Sequence, residues 1–560
     1  PYVASEGAYG DLLTKWDEKY GGAPPSGFHG HAYDATMMLL DAIEASAQRA
    51  EDGSALIGRQ ALRDALTATS GYEGTTGVLS CNATGDCATG EALGIFQITD
   101  AEISDDNWPA AVTYTPAGGM ADGAMMEEDG GEADGGESDG GVMMVDELAC
   151  DDAIGCIEVD ADDPVHLSYM LVTSGAVAFL GEDSVGGIEI AIDDRGGEVL
   201  GHEIELTGED SLCSAEGGQT AAQKVAADDS IVGVIGTNCS SSATAALPII
   251  SEAGLVLISP SNTAPTLTSG DTAAGGVWQP GYFRTAHNDL FQGRVAAEFV
   301  YNELGARTVA TIHDGSPYAD GLQQVFADVI VELGGEVTYQ GAVNVGDTDM
   351  RPILTEIASN PPDVLYFPIF EPEAPLMVAQ SSEIDGLENV VLMGADAALV
   401  ESFPENAGPN ADGMYLSGPY VEPEGAYGDL LAKWDEKYGG TPPSGFHGHA
   451  YDATMMLLDA IEASAQMDPD GNLLIGRQAL RDALTATSDY AGTTGMLGCN
   501  ETGDCATGEA LGIYQITDAE ISDDNWPAAV TYTPAGGMVD GAMMEEGGDS
   551  GSDGGVEMVD

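Results

Sequence analysis

Residues 231–268 decide the fold and read IVGVIGTNCSSSATAALPIISEAGLVLISPSNTAPTLT. The stretch begins with a short apolar run, continues with a segment of helical periodicity and reaches a second apolar run at residues 255–258. Strand, helix and strand in this order predict a βαβ unit with parallel strands and a right-handed crossover. Polar residues follow both strands, at the sheet edge where doubly wound folds bind their ligands.

Short apolar strands alternate with amphipathic helices on both sides of this stretch. The predicted strands are residues 166–173, 203–206, 231–236, 255–258, 307–313, 336–340, 363–370 and 389–394. Since these strands fall into two series, we predict an α/β fold with two doubly wound parallel-sheet lobes joined by a hinge. After Tyr415 the pattern predicts more helices, followed by two strands of a β-ribbon around Cys499 and Cys505.

A long repeat divides the chain. Residues 1–128 match residues 419–546 without a gap and differ at sixteen positions. Both copies run into a stretch of Gly, Asp, Glu and Ser with too few apolar side chains to fold, which we expect to be a flexible acidic tether. We predict four parts: an incomplete duplicate of the C-terminal part at 1–124, an acidic Gly-rich linker at 125–146, a complete two-lobed unit at 147–544 and an acidic Gly-rich tail at 545–560.

The ends of the sequence indicate a larger tandem array. Asp146 corresponds to Asp560, so the chain stops where a further copy would begin. Because Pro1 is not an initiating Met, we expect that a segment which secretes or anchors the protein is missing from the N-terminus. The incomplete duplicate would then be the tail of an upstream unit, and we expect it to pack poorly or to pair with another copy.

The charge excludes some classes of partner. With 95 Asp and Glu against 15 Lys and Arg, the formal net charge is −80. Such a surface repels phosphate backbones and anionic lipids, so we predict that the protein does not bind nucleic acid. A salt-rich habitat would favour this acidity because salt screens the self-repulsion, while acidic linkers and solvated helix faces are the alternative explanation.

The eight cysteines fall into four pairs that are close in sequence. The pairs are Cys81 with Cys87, Cys150 with Cys156, Cys213 with Cys239, and Cys499 with Cys505. An even count without an odd thiol is typical of disulfides formed in an oxidising compartment. The alternative, a zinc site, would need CxxC spacing or a nearby histidine, and these gaps do not supply either.

Polar or aromatic side chains follow several predicted strands. In the first series, Ser240 starts a helix after one strand, where free N–H groups could bind a carboxylate, and Ser261 and Thr263 follow the next strand. In the second series, Tyr318, Phe370 and Asp396 each lie just past a strand. Helix capping is the alternative for both the hydroxyl clusters and a lone Asp.

Enzyme and metal signatures are missing from the sequence. There is no GxSxG, no Walker loop and no GxGxxG after a strand. His447 and His449 could suggest a metal pair, but no third ligand stands at a useful spacing, and histidines at the start of a helix are more often structural. We predict a protein that is not an enzyme and has no metal and no cofactor.

The stretch from Val165 to about Asp518 resembles the leucine/isoleucine/valine-binding family of type I periplasmic binding proteins. The resemblance rests on an ordered set of motifs: SGAVAFLGED, EDSLC, IGTNCSSS, ISPSNTAPTLT, FRT, HDGSPYADG, LYFPIFEPE and LMGAD. It implies two lobes that close on a ligand, and it implies a disulfide between Cys213 and Cys239. The lobes would comprise about 164–285 with 419–505, and about 286–418 with 506–532.

The resemblance also implies a ligand set. Its members are Ser240, Ser261, Thr263, Tyr318, Phe370, Asp396 and Phe446. The hydroxyl and N–H groups of the first lobe would hold an α-carboxylate, Asp396 would pair with an ammonium, and Phe446 would line the side-chain pocket. Two departures from the family pattern, an aliphatic Leu180 and an Asp in place of a Glu at 396, leave a pocket of different shape.

The resemblance implies an extracytoplasmic solute-binding protein of an ABC importer. Its ligand would be an amino acid, aliphatic or branched-chain, and its partners would be an ABC permease and further tandem copies of itself. The alternative is a structural cell-surface or filament component built from tandem binding-protein folds with a vestigial pocket. A signalling receptor is the third possibility, disfavoured because no membrane-spanning or kinase-like segment follows.

Overall fold

A computed structural model describes residues 7–20, 24, 29–49, 55–69, 72–81, 87, 95–96, 112–115, 119–120, 142–145, 147–508, 510–522, 528–534 and 537–538. The chain divides into two compact units, Pro1–Gly136 and Glu137–Asp560. The predicted linker at 125–146 lies outside the described residues up to position 141, and the predicted tail at 545–560 lies outside them entirely.

In the part of the first unit that the structure describes, there are three helices and several short strands. The helices are α1 Gly7–Tyr20, α2 His29–Ser46 and α3 Arg59–Thr67, and the strands are β1 Ala47–Arg49, β2 Ala55–Ile57, β3 Tyr72–Gly74, β4 Gly77–Leu79, β5 Ile95–Phe96, β6 Val112–Thr115 and β7 Gly119–Met120. The strands form the pairs β1–β2 and β3–β4 and the three-stranded sheet β5–β6–β7.

The second unit begins with the elements of its first lobe. The strands are β8 Met143–Met144, β9 Cys156–Val159, β10 Val165–Leu171, β11 Glu198–Val199, β12 His202–Asp210, β13 Ile231–Gly236, β14 Leu257–Ser259 and β15 Tyr282–Arg284, and the helices are α4 Phe179–Asp194, α5 Ala215–Val225 and α6 Ser240–Glu252. They build a six-stranded sheet of order β11-β12-β10-β13-β14-β15. Its strands are parallel except at the β11 edge.

The second lobe follows in the chain. Its helices are α7 Asp289–Glu298, α8 Pro317–Leu333, α9 Arg351–Ala358, α10 Glu373–Ser381 and α11 Ser402–Ala407, and its strands are β16 Thr308–His313, β17 Glu336–Ala342, β18 Val364–Tyr366, β19 Val391–Gly394 and β20 Tyr415–Pro419. These strands are parallel to their neighbours.

The chain then returns to the first lobe and finally to the second. The returning elements are α12 Gly425–Tyr438, α13 His447–Ser464, β21 Ala465–Met467, β22 Leu473–Gly476, α14 Arg477–Thr485, β23 Tyr490–Gly492 and β24 Gly495–Leu497, and the last elements are β25 Leu511–Gln515, α15 Asp518–Ser522, β26 Val530–Thr533 and β27 Gly537–Met538. Antiparallel strands β25, β26 and β27 complete an eight-stranded sheet of order β17-β16-β18-β19-β20-β25-β26-β27.

The predicted α/β architecture of two doubly wound lobes is confirmed. The chain passes between the lobes after β15, after β20 and after β24, so three connections form the hinge. Each sheet separates helices on its two faces, and β13 is buried along its whole length, as expected for a central parallel strand. The sheets are more mixed than predicted, because antiparallel strands extend an edge of each.

The β-ribbon predicted around Cys499 and Cys505 is reduced to one antiparallel bridge, between Leu497 and Ala506. The hairpin is β23–β24, which ends before Cys499. After Cys499 the side-chain oxygen of Asn500 accepts hydrogen bonds from the backbone N–H groups of Thr502 and Asp504, at 2.9 and 3.0 Å. Such local side-chain bonds compete with strand pairing, so this segment folds into a loop closed by its disulfide.

Four disulfides form in the structure. They join Cys81 to Cys87, Cys150 to Cys156, Cys213 to Cys239, and Cys499 to Cys505. The Cys213–Cys239 bond fastens the segment after β12 to the start of α6. Among the described residues, no helix combines the length and apolar character that crossing a membrane would require.

Helix α4 is held by hydrogen bonds to the start of helix α13, which comes much later in the sequence. The Asp183 carboxylate, fully buried on α4, accepts hydrogen bonds from the N–H groups of Ser444 and Phe446 at 3.1 and 3.0 Å, and from Nδ1 of His447 at 3.2 Å. These donors surround the start of α13. Asp183 therefore fixes where α13 begins, across more than 260 residues of sequence.

Close contact between α4 and α13 depends on glycine. A Cβ on Gly187 would lie 2.2 Å from the carbonyl oxygen of His447 and 3.1 Å from Cβ of Ala450. We therefore expect Gly187→Ala to lower the free energy of unfolding by about 3 kcal/mol, because the two helices must move apart. Gly270→Ala is the matched control, since a Cβ there meets nothing within 4 Å. Urea unfolding of the two variants measures the difference, and equal stabilities would contradict the proposed packing.

Candidate functional site

Six of the seven predicted ligand residues line one cavity between the two lobes. They are Ser240, Ser261, Tyr318, Phe370, Asp396 and Phe446. The first two come from the carboxyl-end side of β13 and β14, and the next three follow β16, β18 and β19. Because parallel strands of both lobes end at this cavity, side chains that are far apart in sequence meet there.

Thr263 is the predicted residue that the structure does not place in the cavity wall. It is buried, with 1% of its surface exposed, and its carbonyl oxygen accepts a hydrogen bond from the N–H of Asp289 at 3.0 Å. Thr263 thus holds the start of α7 against the first lobe. Its predicted role as a direct ligand stays a prediction.

The first-lobe side of the cavity carries hydrogen-bonding groups at the start of α6. Cys239 is the N-cap residue of α6 and supplies no side-chain acceptor to the helix. Ser240 is therefore not a cap but the first helical residue, and its Oγ accepts from the N–H of Ala264 at 3.3 Å. A helix start without a side-chain cap can bind an anionic group through its free N–H groups.

Asn238 also lines the cavity, and sequence reasoning did not single it out. Its Nδ2 donates to Oγ of Ser184 at 2.9 Å and to Oγ of Ser261 at 3.1 Å, and its Oδ1 accepts from the N–H of Val172 at 2.9 Å. Asn238 thereby fixes the hydroxyl of Ser261. Its position directly after β13 was the available signal.

The second-lobe side centres on Asp396, which is 6% exposed. Its Oδ1 accepts a hydrogen bond from the Tyr318 hydroxyl at 2.8 Å and one from Nε2 of Gln292 at 2.7 Å. Gln292 also donates to Ser417 and contacts Nε2 of His287. Gln292 carried no sequence signal, because it lies within helix α7 and meets Asp396 only through the fold.

Burial sets the charge of this region. It raises the pKa of Asp396 to about 6, and the hydrogen bonds from Gln292 and Tyr318 limit the rise. The pKa of the neighbouring Asp289 is raised well above its ordinary value, by burial first and by the charge of Asp396 second. Burial lowers the pKa of His287 to about 4. At neutral pH His287 is therefore uncharged and Asp396 is ionised.

Apolar side chains close the rest of the cavity. The ring of Phe370 packs against Tyr318 with centroids 5.2 Å apart, and the ring of Phe446 stacks on His287 at 6.4 Å. Leu180, the aliphatic departure noted in the sequence, lies in the wall with them. The site is therefore dipolar: N–H and hydroxyl groups face a carboxylate, with an apolar wall beside them.

The cavity is small because the lobes are close together. Its volume is about 10 Å³, which is room for about one water molecule. Anything larger enters only when the lobes separate, and it contacts both lobes once they close.

A larger cavity of about 390 Å³ lies beside the hinge. Tyr427, Tyr514 and Glu422 are among its lining residues, and none of the seven predicted ligand residues is found in the part of that lining which the structure describes. Its walls come from both lobes.

The two histidines considered as a metal pair make structural hydrogen bonds. His447 bonds Asp183 through Nδ1 and the hydroxyl of Tyr427 through Nε2, while Nδ1 of His449 bonds the carbonyl of Thr285 at 2.9 Å. Within the described ranges, no group of three or more His, Cys, Asp or Glu is arranged to hold a metal ion.

Comparisons with known proteins agree on one family. A family profile described as periplasmic binding protein matches residues 164–520. A leucine-, isoleucine-, valine-, threonine- and alanine-binding protein of Pseudomonas aeruginosa is 27% identical over 349 residues, which is 61% of this chain and 88% of that protein.

Solved structures of binding proteins are also similar to this chain. A leucine-binding protein of Thermotoga maritima is similar with a TM-score of 0.56 and 25% identity, over 63% of this chain and 96% of that chain. A branched-chain amino acid transporter substrate-binding protein of Streptococcus pneumoniae, solved with isoleucine, has a TM-score of 0.56 and 22% identity, over 66% and 99%. The second likeness supports the fold alone.

The buried charge of Asp396 predicts that the empty protein gains stability when that charge is removed. Because the folded-state pKa is about 6 against an ordinary value of 3.8, the unfolding free energy falls as pH rises through this range. We expect Asp396→Asn to be more stable than the wild type above pH 6, by up to about 3 kcal/mol, and the difference to vanish below about pH 4. Urea unfolding between pH 4 and 8 measures it, and a loss of stability at pH 7.5 would contradict it.

Proposed function

Because this chain belongs to the periplasmic binding protein family, we propose that residues 147–544 form the solute-binding protein of an ABC importer and that its ligand is an aliphatic amino acid. Members of the family are extracytoplasmic solute-binding proteins and not enzymes. The proposal adds the ligand class, the importer and the residues that hold the ligand.

The observation that carries the proposal is the position of one ionised carboxylate opposite a helix start that has no side-chain cap. An amino acid is a zwitterion, so its carboxylate would accept hydrogen bonds at the start of α6, from Ser240 and its neighbours, and its ammonium would pair with Asp396. Burial of a charged ligand is favourable only when both charges find such partners. Closure of the lobes supplies both at once.

The apolar wall favours an aliphatic side chain. Phe370, Phe446 and Leu180 lie beside the polar groups and offer no further charge to a ligand. The name of the Pseudomonas relative, with its aliphatic amino acids and threonine, supports the same class. A larger aromatic ligand would need a wider separation of Phe370 from Phe446.

The remaining parts of the proposal concern partners and location. The two closed lobes would dock on a membrane permease, and the protein would act outside the cytoplasm, secreted or anchored. We keep the division predicted from the sequence, with lobe boundaries near residues 285, 418 and 505. A structural array with a vestigial pocket is the second candidate, and the repeat of residues 1–128 at 419–546 is the observation that favours it.

A thermal-shift screen of the full chain against the twenty amino acids, short amides and urea tests the proposal. A ligand at a hundredfold its Kd stabilises the fold by about 2.7 kcal/mol, so aliphatic amino acids should raise the melting midpoint. Asp396→Asn should fold and fail to respond, while Asp320→Asn, a control at an exposed carboxylate of the same lobe, should respond like the wild type. If no compound binds at low or high salt, the structural-array function becomes the better one.

Ligand affinity should depend on pH through Asp396. Below the pKa of about 6 this carboxyl is protonated and cannot pair with an ammonium, so Kd should rise by about tenfold for each pH unit between 6 and 4. His287, with a pKa near 4, stays uncharged over most of this window. Calorimetric titration measures the profile. Asp289→Asn should retain the rise near pH 6, and a profile flat from pH 8 to 4.5 would contradict the role of Asp396.

A further inference from the structure

Helix α2 of the first unit exposes an apolar face that its duplicate buries. Leu39 and Leu40 are 41% and 49% exposed, whereas their counterparts Leu457 and Leu458 on α13 are 0% exposed. Ala32, Ala35 and Thr36 are exposed too, and their counterparts in α13 are buried: Ala450, Ala453 and Thr454. These positions follow helical spacing and form one continuous stripe, which we call the α2 face.

The first copy nevertheless keeps the internal geometry of the second. The Asp34 carboxylate accepts hydrogen bonds from the N–H groups of Thr75 and Thr76 at 2.7 and 2.8 Å, and Asp452 accepts the same bonds from Thr493 and Thr494 at 2.7 and 2.9 Å. The Tyr9 hydroxyl bonds Nε2 of His29 at 2.9 Å, as Tyr427 bonds His447 at 3.0 Å. The α2 face is therefore presented by a segment that is already in its docked shape.

The second copy shows what covers such a face. Helix α13 packs on α4 and on strands β13 and β14 of the first lobe. The contact requires glycine on α4: a Cβ on Gly187 would lie 2.2 Å from the His447 carbonyl on α13, and one on Gly186 would lie 2.3 Å from the ring of Trp434 on the neighbouring helix α12. The surface that buries the apolar face of α13 is therefore a specific one. It consists of a helix with two adjacent glycines and the carboxylate of Asp183, and we call it the α4 surface.

Charged residues around the α2 face would also form ion pairs with the α4 surface. In the second copy, Lys433 pairs with Asp194 at 2.6 Å, and Glu462 pairs with Arg195 at 3.1 Å. The counterparts Lys15 and Glu44 are exposed in the first copy. A surface that carries the acidic end of α4 and Arg195 would pair with both.

We propose that the α2 face is a docking site for the α4 surface of a binding-protein unit, so that residues 7–87 can complete a first lobe in place of residues 425–505. The two copies would then compete for the same binding surface, the α4 surface. A unit whose own α13 has left the α4 surface is the partner that the α2 face binds. Exchange of near-identical elements of this kind costs little. The incoming segment differs from the one that it replaces at twelve positions, and the sequence of helix α2 is the same as that of α13.

The tether permits the exchange within one chain. Residues 121–141 separate the first copy from β8 and can span at most about 70 Å when fully extended. Because the first copy is linked covalently to the second unit, its effective concentration at the α4 surface is high. It can therefore take the place of a second copy that cannot dock.

Four forms of the full chain test the proposal: wild type, Leu457→Asp with Leu458→Asp, Leu39→Asp with Leu40→Asp, and all four changes together. Asp at 457 and 458 prevents docking of α13, yet the first copy should replace it and keep a cooperative melting transition. Its midpoint should be lower than that of the wild type, because Ala55 stands where Leu473 is fully buried. Asp at 39 and 40 alone should leave the melting of the second unit unchanged. All four changes together should abolish the cooperative transition.

Hydrogen exchange gives a second readout that is independent of any ligand. The substitutions give the peptides of α2 and α13 different masses, so protection of each can be followed separately. In the 457/458 variant, protection should move from residues 447–464 to residues 29–46. If the 457/458 variant and the fourfold variant melt alike, whether folded or unfolded, or if α2 gains no protection, the proposal is wrong. Neither result bears on whether the cleft binds amino acids.

Discussion

The buried carboxylate of Asp183 is the interaction on which the rest of the second unit depends. It lies on α4 and accepts hydrogen bonds from two backbone N–H groups and a histidine ring at the start of α13. A fully buried carboxylate is tolerable only with such donors, so α4 and α13 cannot separate without leaving it unpaired. Phe446 supplies one of these donors, and its ring lines the cavity between the lobes.

The negative charge of Asp396 is compensated less completely than that of Asp183. It receives two hydrogen bonds from neutral groups, and burial still raises its pKa to about 6. The fold therefore maintains a charge that its own groups compensate only in part. A cationic group held between the closed lobes would complete the compensation, and that difference in free energy is what such a ligand would use to favour the closed state. Under the proposed function, the site exchanges stability of the empty protein for affinity.

The residues that a local pattern places were predictable from the sequence. Ser240, Ser261, Tyr318, Phe370 and Asp396 each follow a strand, and strand ends in such folds converge, so their common location in one cavity was predictable. The fold class followed from the same alternation of strands and helices.

Residues placed by contacts between distant segments left no such signal. Gln292 reaches Asp396 across 104 positions, and Asp183 reaches Ser444 across 261. The β-ribbon predicted around Cys499 and Cys505 is reduced to one bridge because side-chain bonds of Asn500 fold the residues between the cysteines into a loop. The repeat shows the limit most directly: Leu39 and Leu457 share a helix sequence and an internal geometry, yet one is exposed and the other is buried. Local sequence determines the helix and its apolar stripe, while the surface that covers the stripe determines burial.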